Sequence, residues 1–239
     1  MTPLLRSPSQ LVNPLARQRF LGFGTAAGGG EWTPALLSPM TWFDAASIGV
    51  GNGNPIGTWS NQGTLGASGD ATATGTARPT LSSTGINGGP AVLFDGVDDL
   101  MAFSHSATTA FTIWFIYKAN TASGRHRVYD DVGGNRLVGF YDTSRSVFTG
   151  SFLYNGSTAT STQVFIAQAS SSGRSFRVNG TTVTDATSAG VLTGVAGLGK
   201  TTEFIKGNVS ELGLMNRILT AGELTSLTQY LTNKSGVSA

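Results

Sequence analysis

The chain has no cysteine, only two histidines and four glutamates, and charged side chains make up just 12% of its 239 residues. Each scarcity excludes something. Without cysteine no disulfide staples the fold, which suits synthesis in a reducing compartment such as a bacterial cytoplasm and sets the chain apart from disulfide-bearing secreted modules. His105 and His126 belong to no metal-ligand pattern, and no Gly-x-Ser-x-Gly element is present, so zinc chemistry and serine hydrolysis have no sequence support. No apolar run reaches the roughly 18 residues that a membrane helix needs.

What is present is an all-β composition. Thirty-three glycines, with abundant Ser and Thr, suit many tight turns, and 39% hydrophobic residues suffice for one sizeable core. The net charge of +2 is unevenly placed: residues 1–34 hold Arg6, Arg17 and Arg19 against Glu31, while beyond them the basic and acidic side chains cancel. The body therefore lacks the positive field of a nucleic-acid binder, whatever the overall isoelectric point.

Residues 1–34 read as an extended attachment arm. Pro3, Pro8 and Pro14 interrupt any long helix and Gly28-Gly29-Gly30 makes a flexible joint. Its apolar residues, among them Leu4, Leu5, Leu11, Leu15, Phe20 and Phe23, are too many for a solvated tail. With Arg6, Arg17 and Arg19 they are expected to dock on a partner rather than hang as a disordered terminus. The arm lacks the apolar core and cleavage pattern of a signal peptide.

Residues 35–239 read as a β-sandwich with one C-terminal helix. Trp42-Phe43-Asp44-Ala45 opens it. A Gly/Asn loop follows, and Trp59 returns as a core residue rather than a sugar platform. Gly66 to Thr84 reads as a loop. Asn87-Gly88-Gly89-Pro90 leads into an apolar strand, Ala91 to Phe94, which Asp95-Gly96 bends before Val97 to Phe103 resumes it. Phe111 to Lys118 is apolar on both faces, as an inner strand covered on both sides requires. Short strands follow at Arg127 to Val132, Arg136 to Phe140, Ser146 to Tyr154 and Thr162 to Gln168. Arg174 to Val178 and Thr181 to Thr184 flank Asn179-Gly180, a type I′ hairpin turn. Gly194 to Gly199 and Asn208 to Met215 close the sandwich. Thr220 and Glu223 form a capping box for a helix whose Leu224, Leu227, Tyr230 and Leu231 dock it on the sandwich edge, with a stop at Gly236.

Trp42-Phe43-Asp44, the Trp59-Ser60-Asn61-Gln62-Gly63 element, the bent central strand and the ending Asn216-Arg217-Ile218-Leu219-Thr220 … Glu223 … Tyr230-Leu231 … Lys234-Ser235-Gly236 together resemble the concanavalin A-like lectin/glucanase family in its laminin-G-like form. The resemblance covers about Pro39 to Gly236. It implies a concanavalin A-like jelly-roll β-sandwich of antiparallel strands. Retaining glucanases on that fold carry Glu-x-Asp-x-x-Glu on one strand, so that the carboxylates face one cleft. Glu31, Glu203, Glu211 and Glu223 do not form that pattern, so no catalytic residue is assigned and the chain is expected not to be an enzyme. Glu211 is expected to pair with a basic neighbour such as Arg217.

The resemblance also raises calcium, since some laminin-G-like and pentraxin-like domains bind it. Asp95, Asp98-Asp99, Asp130-Asp131 and Asp142 are the available carboxylates, and the favoured reading is that Asp95 and Asp98 hold the turn through backbone hydrogen bonds, with no metal or other cofactor. For a glycan, Tyr129, Arg136, Tyr141, Asp142, Tyr154 and Asn155 near strand ends are the candidates, aromatic platforms beside planar polar groups. Cysteine-free modules of this kind behind a short non-secretory arm are familiar in bacteriophage virions as head-decoration, head-fibre or tail-fibre domains. The resemblance thus implies a non-enzymatic virion protein, made in the bacterial cytoplasm without a signal peptide. Its arm would bind capsid or tail proteins, it would form a homo-oligomer and display a lectin-like sandwich to host-surface glycan, and neither nucleic acid nor membrane would be a partner. The alternative is a polysaccharide-active glycoside hydrolase or a free bacterial lectin.

Overall fold

Phe111–Ala119 is the hub of the molecule, because its two faces serve two different cores. Phe111, Ile113, Phe115 and Tyr117 enter the core between two sheets, while Trp114 and Ile116 enter a second apolar layer on the other side. A computed structural model describes residues 31–238. The arm residues named above, Leu4 to Phe23, lie outside the described residues. The body is all-β, a jelly-roll β-sandwich with one C-terminal helix.

The strands are β1 Thr41–Asp44, β2 Thr58–Trp59, β3 Ala71–Thr72, β4 Thr80–Ile86, β5 Gly89–Asp95, β6 Met101–Ser104, β7 Phe111–Ala119 and β8 His126–Asp131. They continue as β9 Arg136–Tyr141, β10 Ser144–Phe148, β11 Phe152–Ser157, β12 Thr162–Ser170, β13 Gly173–Val178, β14 Thr181–Asp185, β15 Val195–Leu198 and β16 Lys206–Met215, before α1 Ala221–Ser235. One sheet has the order β14-β13-β12-β7-β16-β5-β4, with β1 also paired to β16. The other has the order β11-β10-β9-β8-β15-β6-β3-β2. All these pairings are antiparallel.

Most local signals survive. Trp59 is fully buried against Phe43, as expected of a core residue. Asn179 and Gly180 have φ of 46° and 83° and join β13 to β14 in register. Gly96, at φ 80°, makes the corner after β5, where a Cβ would press on the Lys206 side chain. Asp95 Oδ1 accepts from the Val97 N–H at 2.7 Å and from Asp98 N–H, while Asp99 Oδ2 accepts from the Asp95 N–H. The bend is thus held by Asp95 and Asp99 rather than by Asp98.

Three strand assignments change. Val97 to Phe103, expected to resume the bent strand, is strand only from Met101, where β6 joins the second sheet, because the corner after β5 carries the chain from one sheet to the other. Thr80–Ile86, expected to be mostly loop, is a strand because β5 supplies a ladder its Ser and Thr residues do not advertise. The single strand expected from Ser146 to Tyr154 is two, β10 and β11, folded back at Thr149-Gly150-Ser151 with Gly150 at φ 109°.

The helix lies on a sheet face, not on the sandwich edge. Thr220 and Glu223 form the capping box and Gly236, at φ 71°, ends it. Leu227 and Leu231 pack with Trp42, Trp114, Ile116, Val164 and Ile166 on the outer face of the first sheet, because β7 and β12 present apolar residues there that only a covering layer can bury. A bulge between Val209 and Glu211 re-aims β16, so that Glu211 points under the helix while Leu212 returns to the inter-sheet core.

Under the helix Glu211 is fully buried, and its partners differ from those expected. Trp42 and Trp114 donate their Nε1–H to Oε1 at 3.1 and 3.3 Å, and the Tyr230 hydroxyl donates to Oε2 at 2.9 Å. The cation is Lys234, whose Nζ also reaches Asp44 at 2.8 Å. Arg217 forks onto Glu223 at 2.7 and 2.8 Å and holds that carboxyl down to about 2. The indoles approach this closely because Gly213 lies opposite both, and a Cβ there would occupy the Trp114 ring.

Candidate functional site: an aromatic face on the second sheet

Strands β8 to β11 form a meander at one edge of the second sheet. Their register sorts the side chains by face. Val138, Phe140, Val147 and Leu153 point into the inter-sheet core. Tyr141, Ser146, Phe148, Phe152 and Tyr154 occupy the alternate positions and face outward. Tyr141 on β9 and Phe152 on β11 stand on either side of β10. Strands are about 4.8 Å apart, so rings two strands apart meet only where the intervening position is small. That position is Ser146, fully buried beneath them, and the Tyr141 and Phe152 centroids come to 4.4 Å.

The rings form one continuous ladder. Phe148 packs on Phe152 at 4.8 Å, and Phe152 and Tyr154 lie 5.2 Å apart with planes only 12° from parallel. Tyr154 is 49% exposed, the only tyrosine among the large exposed hydrophobics of the described residues. At the other end the Arg125 guanidinium lies 4.3 Å over the Tyr141 ring and donates to Asp142 at 3.0 Å. Asp142 takes φ 55° in the β9–β10 turn, a conformation Asp tolerates, and this places its carboxylate toward Arg125. Arg125 also reaches Glu203, which holds Arg127; Arg127 in turn pairs with Asp130 at 2.7 Å. A row of contacting rings, of which Phe152 and Tyr154 are near-parallel, bordered by planar charged groups, suits the apolar face of a sugar ring and the hydroxyls around it.

Of the six sequence candidates, the fold gathers Tyr141, Asp142 and Tyr154 here and scatters the rest. Tyr129 points into the core, fully buried, with its hydroxyl 3.1 Å from His105 Nε2, so it offers no platform. Arg136 is at the far end of β9, tied to the carbonyls of Gly134 and Ala189. Asn155 is buried and donates to the carbonyls of Phe176 and Thr181, tying the edges of the two sheets together. Sequence reasoning missed Phe148, Phe152 and Arg125. The Phe-x-Tyr spacing of 152 and 154 was a signal for two rings on one strand face, but Arg125 lies in a loop with no pattern of its own.

The carboxylates do not converge on this face. Asp130 and Asp142 pair with Arg127 and Arg125, and Asp131 accepts from Thr193. Asp95, Asp98 and Asp99 bring one oxygen each within 4.8 Å of one another at the β5 corner, where burial pushes Asp99 up to about 6. Glu203 is ion-paired, Glu211 lies under the helix and Glu223 caps it. No helix among the described residues is long and apolar enough to cross a membrane.

No family profile matches the chain, and no curated protein sequence does. Solved structures do match by shape. The sialidase of Trypanosoma rangeli, in complex with 2,3-difluorosialic acid, is 13% identical with a TM-score of 0.57 over 87% of this chain and 35% of its own. Domain 4 of AbnA, an extracellular arabinanase of Geobacillus stearothermophilus, solved with arabinotriose, is 11% identical with a TM-score of 0.53 over 83% of this chain and 98% of its own. The receptor-binding domain of botulinum neurotoxin type G is 8% identical with a TM-score of 0.56, over 81% and 51%. The chain spans about a third of the sialidase's length, and identities this low establish a shared β-sandwich fold.

Proposed function

We propose that this chain is a non-catalytic glycan-binding protein of a bacteriophage virion, held to the particle by residues 1–34 and presenting the Tyr141–Phe148–Phe152–Tyr154 face to surface polysaccharide. The observation that carries the glycan reading is the ladder itself: four rings in contact on an outer sheet face, with Tyr154 half in solvent. The indoles of the other sheet are covered by the helix, whereas Tyr154 is left exposed. The AbnA domain, which shares the fold, was solved with arabinotriose, a precedent for a sandwich of this shape holding a short glycan. The virion assignment is supported by the absence of cysteine and by an arm that carries the chain's whole charge excess beside many apolar residues. Its non-catalytic character is supported by the engagement of Glu203, Glu211 and Glu223 in ion pairs.

The test is a glycan array probed with wild type and with Tyr154→Ala, alongside a reducing-end assay on the polysaccharides bound. Binding that weakens in the variant, with no sugar released, is expected. Binding unaffected by Tyr154 and Phe152 substitutions sinks the site, and turnover sinks its non-catalytic character. Mass spectrometry of purified particles tests the virion assignment, and a chain beginning at Trp32 should fold yet fail to join them.

A further inference from the structure

The two sheets end in β14, β4, β11 and β2, and all but one of these ends are protected. β2 is only two residues long. β4 is bulged against β5 between Ser82 and Ile86, and a loop takes its free side: Gly53 N–H donates to the Leu81 carbonyl at 2.7 Å, Leu81 N–H to that of Asn54 at 3.1 Å, and Ser83 N–H to Asn52 Oδ1 at 2.8 Å. β11 is bulged against β10, and Gly156, at φ 69°, bends its far end. β14 has none of these devices. Its residues, Thr181-Thr182-Val183-Thr184-Asp185, pair with β13 in unbroken register and include no proline, lysine or bulge, the features by which exposed edges avoid other strands.

The turn between β13 and β14 decides which backbone groups of that edge are free. Asn179 and Gly180 form a two-residue type I′ turn, so Val178 and Thr181 exchange hydrogen bonds, and the alternation of an antiparallel pair gives Phe176–Val183 and Arg174–Asp185 the same bonding. Thr182 and Thr184 therefore direct their N–H and C=O away from β13. No other described segment bonds these backbone groups, and both residues are exposed. The free groups lie symmetrically about Val183. A second copy of the strand, antiparallel about a two-fold axis at Val183, sets Thr182 opposite Thr184 of the partner subunit and satisfies every one of them. The side chains agree with that register. Thr meets Thr and Val meets Val, both favourable cross-strand pairs. Asp185, the one charge on the strand, falls off the axis opposite Thr181 and is already ion-paired with Arg174, so no like charges meet.

We infer that two copies of this chain associate edge to edge through β14, joining their first sheets into one continuous antiparallel sheet. An unrelated strand would satisfy the backbone alone, whereas a second copy also matches the spacing of the free groups and the side chains beside them. A two-fold axis between antiparallel strands runs perpendicular to the sheet, so it exchanges the copies without exchanging top and bottom. Both aromatic faces then look the same way, and both α1 helices look the other way. On the glycan reading above, one dimer grips a polysaccharide at two points, and the second contact gains from the effective concentration set by the first. The association itself does not depend on that reading.

The chain has no cysteine, so a single introduced thiol reports the register without interference. In the two-fold pairing Val183 faces its counterpart as a non-hydrogen-bonded pair with Cα atoms about 4.5 Å apart, within disulfide reach. The two Thr181 residues are out of step by about 13 Å along the strands. Under mild oxidation of the full-length protein, Val183→Cys should give a disulfide-linked dimer at least about tenfold faster than Thr181→Cys, although residue 181 is the more exposed. Analytical ultracentrifugation should show the wild type passing from monomer to dimer with concentration. Thr184→Pro, which removes an N–H that β13 does not use, should weaken that association about tenfold or more at an unchanged melting temperature. A wild type still monomeric at about 1 mM overturns the proposal, as does association that Thr184→Pro leaves intact, or cross-linking no faster at 183 than at 181. If Thr184→Pro fails to fold, the two cysteine variants decide alone. Cross-linking at 183 without any glycan binding would uphold the interface and end the glycan reading.

Discussion

The outer faces of the two sheets are built from similar material and have opposite fates. Both carry clustered aromatics: Trp42 and Trp114 on the first sheet, Tyr141, Phe148, Phe152 and Tyr154 on the second. On the first, α1 seals the layer and every polar edge of the rings finds Glu211, so the aromatics serve stability. On the second nothing among the described residues covers Tyr154, and the rings satisfy only one another and Arg125. Aromatic residues on a sheet face thus become core or platform according to whether a later segment of chain returns to cover them.

Removing the carboxylate of Glu211 should have the largest effect on the covered face. Glu211→Ala strands Lys234, two indole N–H groups and a hydroxyl in a buried layer and should cost about 3–5 kcal/mol by denaturant titration. Its glycan binding should be unaffected at temperatures where it is folded; a binding defect in folded protein would mean the two faces are coupled. Gly96→Val, forced to φ 80° against Lys206, should cost about 1–3 kcal/mol. An unchanged midpoint would show that the corner relaxes freely.

Tyr154→Ala should behave in the opposite way to Glu211→Ala. A ring 49% exposed contributes little to the core, so stability should change by under about 1 kcal/mol while glycan affinity falls roughly five- to tenfold. A large loss of stability instead would make the ladder structural and erase the contrast between the faces.

The smallest effect is a pH dependence with two opposing parts. His126 is pushed down to about 4 by burial and the nearby Lys206 charge, so its contribution is present above its usual 6.5 and is lost as pH falls toward 4. Asp99 is pushed up to about 6 by burial, so its contribution is present below its usual 3.8 and is lost as pH rises through 6. Between pH 4 and 6 the two oppose each other. Asp99→Asn should therefore lose stability on acidification more steeply than wild type, and His126→Gln less steeply, in thermal melts across that window. Parallel curves for all three proteins would show that neither group is buried as described.

Legibility followed the range of the interaction. Trp59, the Asn179-Gly180 turn, the Thr220–Glu223 box and the two-sided strand β7 were readable because the determinants lie within a few residues of one another. The partner of Glu211 was not, since Lys234 and Arg217 are both plausible in sequence and only the docking of α1 chose between them. At the candidate site, Tyr141, Asp142 and Tyr154 were readable as strand-end groups, but the same reasoning admitted Tyr129 and Asn155, because alternation names two faces without saying which is wet.

By itself the sequence determined the all-β class, the positions of the tight turns, the capped helix and the bend at Asp95-Gly96, all of which depend on backbone conformations that particular residues favour or forbid. The tertiary structure alone decided which aromatics lie under α1 and which face solvent. It alone aimed Glu211 outward through a bulge. Those outcomes depend on register and on what packs across the sheet, and a strand shifted by one residue would exchange every inward side chain for an outward one.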